Sequence, residues 1–226
     1  MTAAASQMRA QVLQAARWLC EQGFFGGRLG SGGNVSARVS AEDLMVITPS
    51  QVPYKEMQAD DICVLDLALN PVAGSRSPSI EAGMHAAVYH SRPDTGAVVH
   101  THSVYASVLT LINRSIPALF DEITLEIGPA VELIPYAPSG SRQLAENLTA
   151  RLKNGCACYL IQNHGAVSLG PDLTAAMRHA ELLEKVAKVY VYALSTGEQI
   201  SRLPESAIQY WMEIRKKSII RPSHDS

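Results

Sequence analysis

At 226 residues with 47% hydrophobic side chains, the chain has enough apolar mass for one sizeable core, and it is read as a single domain over 1–226. Its 19 Lys and Arg stand against 21 Asp and Glu, a formal charge of −2, which speaks against nucleic-acid binding and against a basic membrane surface. No apolar run approaches the roughly 20 residues needed to cross a bilayer, and the polar, alanine-rich start lacks a charged-then-apolar signal pattern. A soluble, cytoplasmic protein without a membrane or nucleic-acid partner is expected. Cys20, Cys63, Cys156 and Cys158 then read as reduced, buried small hydrophobes rather than a disulfide framework.

Met8, Val12, Ala15, Ala16 and Leu19 fall at helical spacing and predict a helix over 7–22. Gly23, Gly26, Gly27, Gly30, Gly32 and Gly33 then impose a glycine-rich loop. Val35–Val39 alternates like a strand, Leu44–Ile47 continues like one, and Ile62–Asp66 reads as a third in an antiparallel series. The Pro-, Ser- and Gly-rich stretch 67–78 reads as a surface loop. Pro78 precedes a helix over 79–91 with Ile80, Met84, Ala87 and Val88 on one stripe. A strand ending in His100 and His102 follows, then a helix over 103–112 and an irregular stretch holding Pro117, Pro129, Pro135 and Pro138. Beyond it come a helix over 141–152, a buried strand over 156–162, a long amphipathic helix over 172–195 capped by Asp172, and a last helix over 204–217. Strands flanked by helices predict an α/β layered sandwich.

His100-Thr101-His102 puts two imidazoles on one face of a short strand, because side chains at i and i+2 point the same way. The run Tyr159-Leu-Ile-Gln-Asn-His164 delivers a third histidine at a turn. Three neutral imidazoles are a catalytic rather than a structural zinc set, since they leave a coordination position open for substrate. His85 and His179 fall in helices, where packing or surface roles are expected. Glu81 opens a predicted helix; the helix dipole accounts for a carboxylate there, and next to a metal-bound substrate the same carboxylate is a candidate proton acceptor. Gly30-Ser-Gly-Gly-Asn-Val-Ser36 offers backbone N–H groups to an anion. It lacks the spacing and the lysine of a P-loop, which speaks against nucleotide binding.

Taken in order, Gly-Ser-Gly-Gly-Asn-Val-Ser at 30–36, Ile-Thr-Pro-Ser at 47–50, Pro-Ser-Ile-Glu at 78–81, His-Thr-His at 100–102 and Asn-His-Gly at 163–165 resemble the class II aldolase/adducin family over almost the whole chain. The likeness is greatest to its L-fuculose-1-phosphate aldolases, through Ser91-Arg-Pro-Asp94, Ala97–His100 and Asn113–Ala118. The resemblance implies a single-domain sandwich with a mainly antiparallel central sheet. It also implies Zn2+, or another divalent ion such as Mn2+, on His100, His102 and His164, with Glu81 as acid/base. A homotetramer with active sites between subunits goes with it, as does cleavage or formation of a C–C bond in a small ketose or ketose 1-phosphate through a zinc-stabilised enediolate.

The family's phosphate site maps onto Ser31, Gly33, Asn34, Ser50 and Ser79, but Gln51 stands where a glycine is expected and Ile80 where a second serine is expected. Isoleucine donates no hydrogen bond, and a glutamine side chain takes space. Where the fuculose-phosphate aldolases carry a tyrosine acting from the neighbouring subunit, this chain reads Phe120-Asp121-Glu122, so Asp121 or Glu122 is the expected proton donor. Pentulose-phosphate 4-epimerase, methylthioribulose-1-phosphate dehydratase and 3-oxo-acid decarboxylase chemistry would use the same metal site. A non-catalytic adducin-like scaffold is disfavoured by the complete histidine set, by Glu81 and by the lack of a long basic tail.

Overall fold

The computed structural model describes residues 2–26 and 32–220. Helix α1 (Ala3–Glu21) leads into strands β1 (Asn34–Val39), β2 (Leu44–Ile47), β3 (Cys63–Asp66) and β4 (Pro71–Ala73). Next come α2 (Ala82–Ser91), β5 (Ala97–Thr101), α3 (Val104–Leu111), β6 (Ile116–Pro117), α4 (Asp121–Glu126) and β7 (Ala130–Ile134). The remainder is α5 (Arg142–Thr149), β8 (Cys158–Ile161), β9 (Gly165–Gly170), α6 (Leu173–Ser195) and α7 (Glu205–Ile220). Among the described residues the nine strands form one sheet in the order β4-β3-β2-β1-β5-β9-β8-β7-β6. Every neighbouring pair is antiparallel except β7 and β8.

The two-residue period of the strands divides the core. Val98 of β5 packs with Met84, Val88 and Tyr89 of α2 and Leu144 and Leu148 of α5, whereas Ala97 and Val99 pack with Val12, Ala16 and Leu19 of α1. A third cluster lies under α3, α4 and the second half of α6, where Leu109, Ile123, Leu183 and Val186 meet Cys158 and Leu160. The sheet is thus covered by helices on both faces, the layered arrangement expected of strands interspersed with amphipathic helices.

Four differences separate the structure from the sequence expectations. The 67–78 loop contains β4, an edge strand in which Pro71 is tolerated because an edge offers N–H groups that need no partner. The stretch read as irregular between 113 and 140 contains β6, α4 and β7, each of six residues or fewer, too short for periodicity to register between prolines. The segment after His164 is a full strand, β9, recognisable only once its partners β5 and β8 are in place. The helix expected from 79 starts at Ala82, so Glu81 occupies the N-cap position rather than the first turn.

All four cysteines are free and buried. Burial pushes the Cys158 thiol up to about 12 and the Cys63 thiol to about 11. The reactive thiolate is therefore scarce in the folded protein. A chromogenic thiol reagent at about pH 8 is expected to label native protein slowly and all four thiols quickly after denaturation. A fast-reacting thiol in the native state would contradict this burial.

Candidate metal centre

His100 lies in the middle of the sheet, on β5 between β1 and β9, and is 0% exposed. Its register partners are Asn34 on β1 and Val167 on β9. His102 follows at the strand end, where its N–H donates to the Phe24 carbonyl at 2.9 Å. The third ring arrives from the turn joining β8 to β9. There Asn163 takes φ 54°, a left-handed conformation that asparagine tolerates, and the His164 N–H closes the turn on the Ile161 carbonyl at 3.1 Å.

The next residue has to be glycine. A Cβ on Gly165 would stand 2.3 Å from the Thr101 carbonyl oxygen and 2.8 Å from His102 Cδ2, so only a bare backbone lets β9 close against the end of β5. Gly33 meets a similar restriction at φ 76°, with a Cβ falling 2.5 Å from the His100 carbonyl oxygen. Both glycines set the walls around the histidines.

The rings converge: centroids are 4.9 Å apart for His100 and His102, 4.7 Å for His100 and His164, and 5.1 Å for His102 and His164. One nitrogen from each lies within 4.8 Å of the others, and the Nε2 atoms of His100 and His102 are 3.0 Å apart. Nitrogens bound tetrahedrally at about 2.0–2.1 Å sit about 3.3 Å from one another, so the set fits a divalent cation after small ring shifts. His100 Nδ1–H donates to the Ala166 carbonyl at 2.9 Å, which leaves Nε2 as the bare nitrogen, the arrangement that orients a ligating imidazole. Burial pushes His100 down to about 3, with Glu81 opposing and His102 and His164 reinforcing the shift; burial also lowers His102. Neutral imidazole is the form that ligates.

Glu81 faces this centre. Its Oε2 is 3.1 Å from His100 Nε2 and accepts from Asn34 Nδ2 at 2.9 Å; its Oε1 is 3.4 Å from His164 Nε2 and accepts from Ser139 Oγ at 2.7 Å. Burial opposes ionisation, yet the hydrogen bonds from Ser139 and Asn34 hold the carboxyl below its ordinary range. Glu81 is therefore an anion at neutral pH, clamped at both oxygens.

The remaining expected site residues fall into two groups. Gly33 and Asn34 stand at the centre, while the loops bearing Ser50 and Ser79 are held together: Ser50 N–H donates to Ser77 at 2.9 Å and Ser79 N–H to Thr48 at 3.1 Å. Ser79 Oγ accepts from the Glu81 N–H at 3.3 Å, which leaves its own proton available. Gln51, at φ 58°, and Ile80, 66% exposed, are the exposed residues that follow Ser50 and Ser79 in the chain. Ser31 lies outside the described residues. Asp121 and Glu122 begin α4, and Glu122 pairs with Lys185 at 2.8 Å. Among the described residues neither carboxylate bonds to the histidine cluster.

Ser139 and the pair Ser36 and His85 were not expected at the site. Ser139 lies 58 positions from Glu81, and nothing local in the sequence announces their contact. His85 was detectable in principle, because Glu81 and His85 at i and i+4 share a helix face. It packs as expected, fully buried, with Nδ1 2.7 Å from Ser36 Oγ.

Residues 10–191 match the family model described as the class II aldolase and adducin N-terminal domain. The chain belongs to this class II aldolase and adducin family. Family relatives include the L-fuculose phosphate aldolase of Escherichia coli (strain K12), 35% identical over 184 residues, 81% of this chain and 84% of that one. The 5-deoxy-D-ribulose 1-phosphate aldolase of Bacillus thuringiensis serovar kurstaki is 34% identical over 180 residues, covering 80% and 83%. Among solved structures, an L-fuculose 1-phosphate aldolase superposes with a TM-score of 0.86 at 32% identity, covering 93% of this chain and 96% of that one. The class II aldolase fold of this family is thus present along nearly the whole chain.

Two measurements test this geometry. Gly165→Ala is expected to displace His164 and lower affinity for a divalent ion by about 10–100-fold, read by competition with a chromogenic chelator; unchanged affinity would contradict the close approach. The second concerns His85, which burial pushes down to about 4. An unfolded histidine titrates near about 6.5, so below that pH the unfolded chain binds a proton that the folded ring refuses. Stability from the neutral ring is complete above about 6.5 and drains as the pH falls toward about 4. Urea midpoints of metal-free protein should fall across this window, and less steeply in His85→Gln.

Proposed function

We propose that this chain is a metal-dependent aldehyde-lyase that makes or breaks a C–C bond in a small ketose or ketose 1-phosphate. The observation that carries the reading is the convergence of three imidazoles on one point with an anionic carboxylate 3.1 Å from His100 Nε2. The relatives' names supply the substrate class, since both are aldolases of ketose phosphates. His100, His102 and His164 would hold Zn2+ or another divalent ion such as Mn2+, whose charge stabilises the negative charge that develops on substrate oxygens as the C–C bond breaks or forms.

The proton work falls to the chain's own side chains. In the bond-forming direction the Glu81 carboxylate removes a proton from the carbon beside the carbonyl of dihydroxyacetone phosphate. Asn34 and Ser139 hold it in place, so that no reorientation is needed at the moment of transfer. The new alkoxide takes the proton of the carboxyl form of Asp121 or Glu122 of a neighbouring copy, and the carboxylate left behind recovers a proton from water, to which these side chains at the start of α4 are open. Ser31, Gly33, Asn34, Ser50 and Ser79 bind the anionic end, beside Gln51 and Ile80. The assembly would be a cytoplasmic homotetramer with its active sites between subunits.

The test is a panel of ketoses and ketose 1-phosphates given to protein loaded with Zn2+ or Mn2+, with aldehyde and dihydroxyacetone phosphate measured. Wild type should release both and hold stoichiometric metal. Glu81→Gln should keep the metal and lose about 10²–10⁴ in kcat, whereas His102→Ala should lose the metal. Absence of both products from the whole panel would overturn aldol chemistry. NMR of the mixtures would then expose epimerisation, which conserves mass, or dehydration and decarboxylation, which do not.

A further inference from the structure

Behind Glu81 runs a seam of buried polar side chains. Helix α2 and its N-cap present Glu81, His85 and Tyr89 at successive turns, and β1 presents Asn34 and Ser36 on one face. None of the five is more than 4% exposed. Asn34 Nδ2 donates to Glu81 Oε2 at 2.9 Å, and Ser36 Oγ lies 2.7 Å from His85 Nδ1 and 2.6 Å from the Tyr89 hydroxyl. Two buried atoms of the seam meet no hydrogen-bond partner among the described residues: His85 Nε2 and Asn34 Oδ1.

Counting protons fixes the polarity of the seam. Ser36 has one hydroxyl proton to give. Given to His85 Nδ1, it leaves the serine oxygen to accept from Tyr89, so the phenol is satisfied. Given to Tyr89, it would require His85 Nδ1–H as a donor and leave the phenol proton without its acceptor in the seam, an expensive arrangement for a buried group. The first arrangement is favoured, and it makes His85 the Nε2–H tautomer. The unpartnered nitrogen is then a donor and the unpartnered Asn34 oxygen an acceptor. They are complementary, and they belong to side chains that neighbour one another on both elements: Asn34 beside Ser36 on β1, Glu81 one turn before His85.

We propose that a buried water joins His85 Nε2–H to Asn34 Oδ1, which makes His85 a positioning residue that locks the Asn34 carboxamide and, through it, the Glu81 carboxylate. Buried waters characteristically satisfy polar atoms of this kind. The lock has a clear consequence. A flipped Asn34 would turn its oxygen toward the Glu81 carboxylate and its amide toward the His85 donor, mismatching both ends at once. His85 acts at a distance on a group it does not have to touch, and the inference rests on the role of Glu81 proposed above.

The test combines a spectroscopic signature with kinetics. In wild-type protein labelled with ¹⁵N-histidine, His85 should show a protonated Nε2 and an unprotonated Nδ1; the opposite tautomer would overturn the proposal. In His85→Phe, which keeps a ring but removes both nitrogens, the Asn34 side-chain amide protons should exchange with solvent faster. Metal content and KM should hold, and kcat should fall about 10–100-fold, as when outer-shell partners are removed elsewhere. His85→Gln, which retains an amide donor, should recover part of that loss. Unchanged Asn34 exchange with full kcat in His85→Phe would refute the lock. If His85→Phe fails to fold, the wild-type tautomer and His85→Gln decide. If wild type has no lyase activity, the proposed function fails, while the tautomer and the exchange rates still judge the seam.

Discussion

The closure of β9 against the end of β5 is the constraint on which the rest of the centre depends. His100 and His102 share a strand and are neighbours for local reasons, but His164 lies more than sixty positions away in sequence. It reaches them because Ala166 pairs with Thr101 and because Gly165 lets two backbones approach closer than any side chain would permit. The same pairing places the Ala166 carbonyl at His100 Nδ1, so one strand register both delivers one histidine of the cluster and sets the tautomer of another. A slip of one residue would send every side chain of β9 to the opposite face and undo both effects.

Burying so much polar chemistry at a sheet centre is costly unless each group is paired. The structure meets this requirement by grouping. Asn34 and Ser36 project from β1 toward α2, where Glu81, His85 and Tyr89 receive them, while the alternate positions Val35, Ala37 and Val39 face the apolar cluster under α1. One short strand therefore carries a polar edge for the site and an apolar edge for the core. Glu81 gains most from the arrangement: two side-chain donors compensate its burial and keep it ionised beside the histidines.

The family relationship and this geometry agree on the kind of reaction. Gln51 and Ile80 are exposed chain neighbours of Ser50 and Ser79, whose loops are held together by hydrogen bonds. Ser139 is exposed yet bonded to Glu81. The histidines and Glu81 are buried or half-buried, whereas Gln51 and Ile80 are exposed.

Much of this was legible in the residues themselves. Alternation and helical spacing located α1, β1 to β3, α2, α5 and α6 to within a few residues, because each is long or periodic enough to bury one face. His100-Thr101-His102 announced its geometry, since i and i+2 on a strand leave no choice of side. Glu81 was picked out by its place at a helix start. Other features are invisible in one dimension: β9, β6 and β7 exist because neighbouring strands complete their hydrogen bonds, and the short helix α4 is held by packing Ile123 against α6. The clamp on Glu81 by Asn34 and Ser139 joins residues 47 and 58 positions apart. Sequence determined which side chains each element carries and which way they face; only the tertiary structure decided which of them meet, because contact between distant segments is fixed by strand register and close backbone approach, and neither is written in any local pattern.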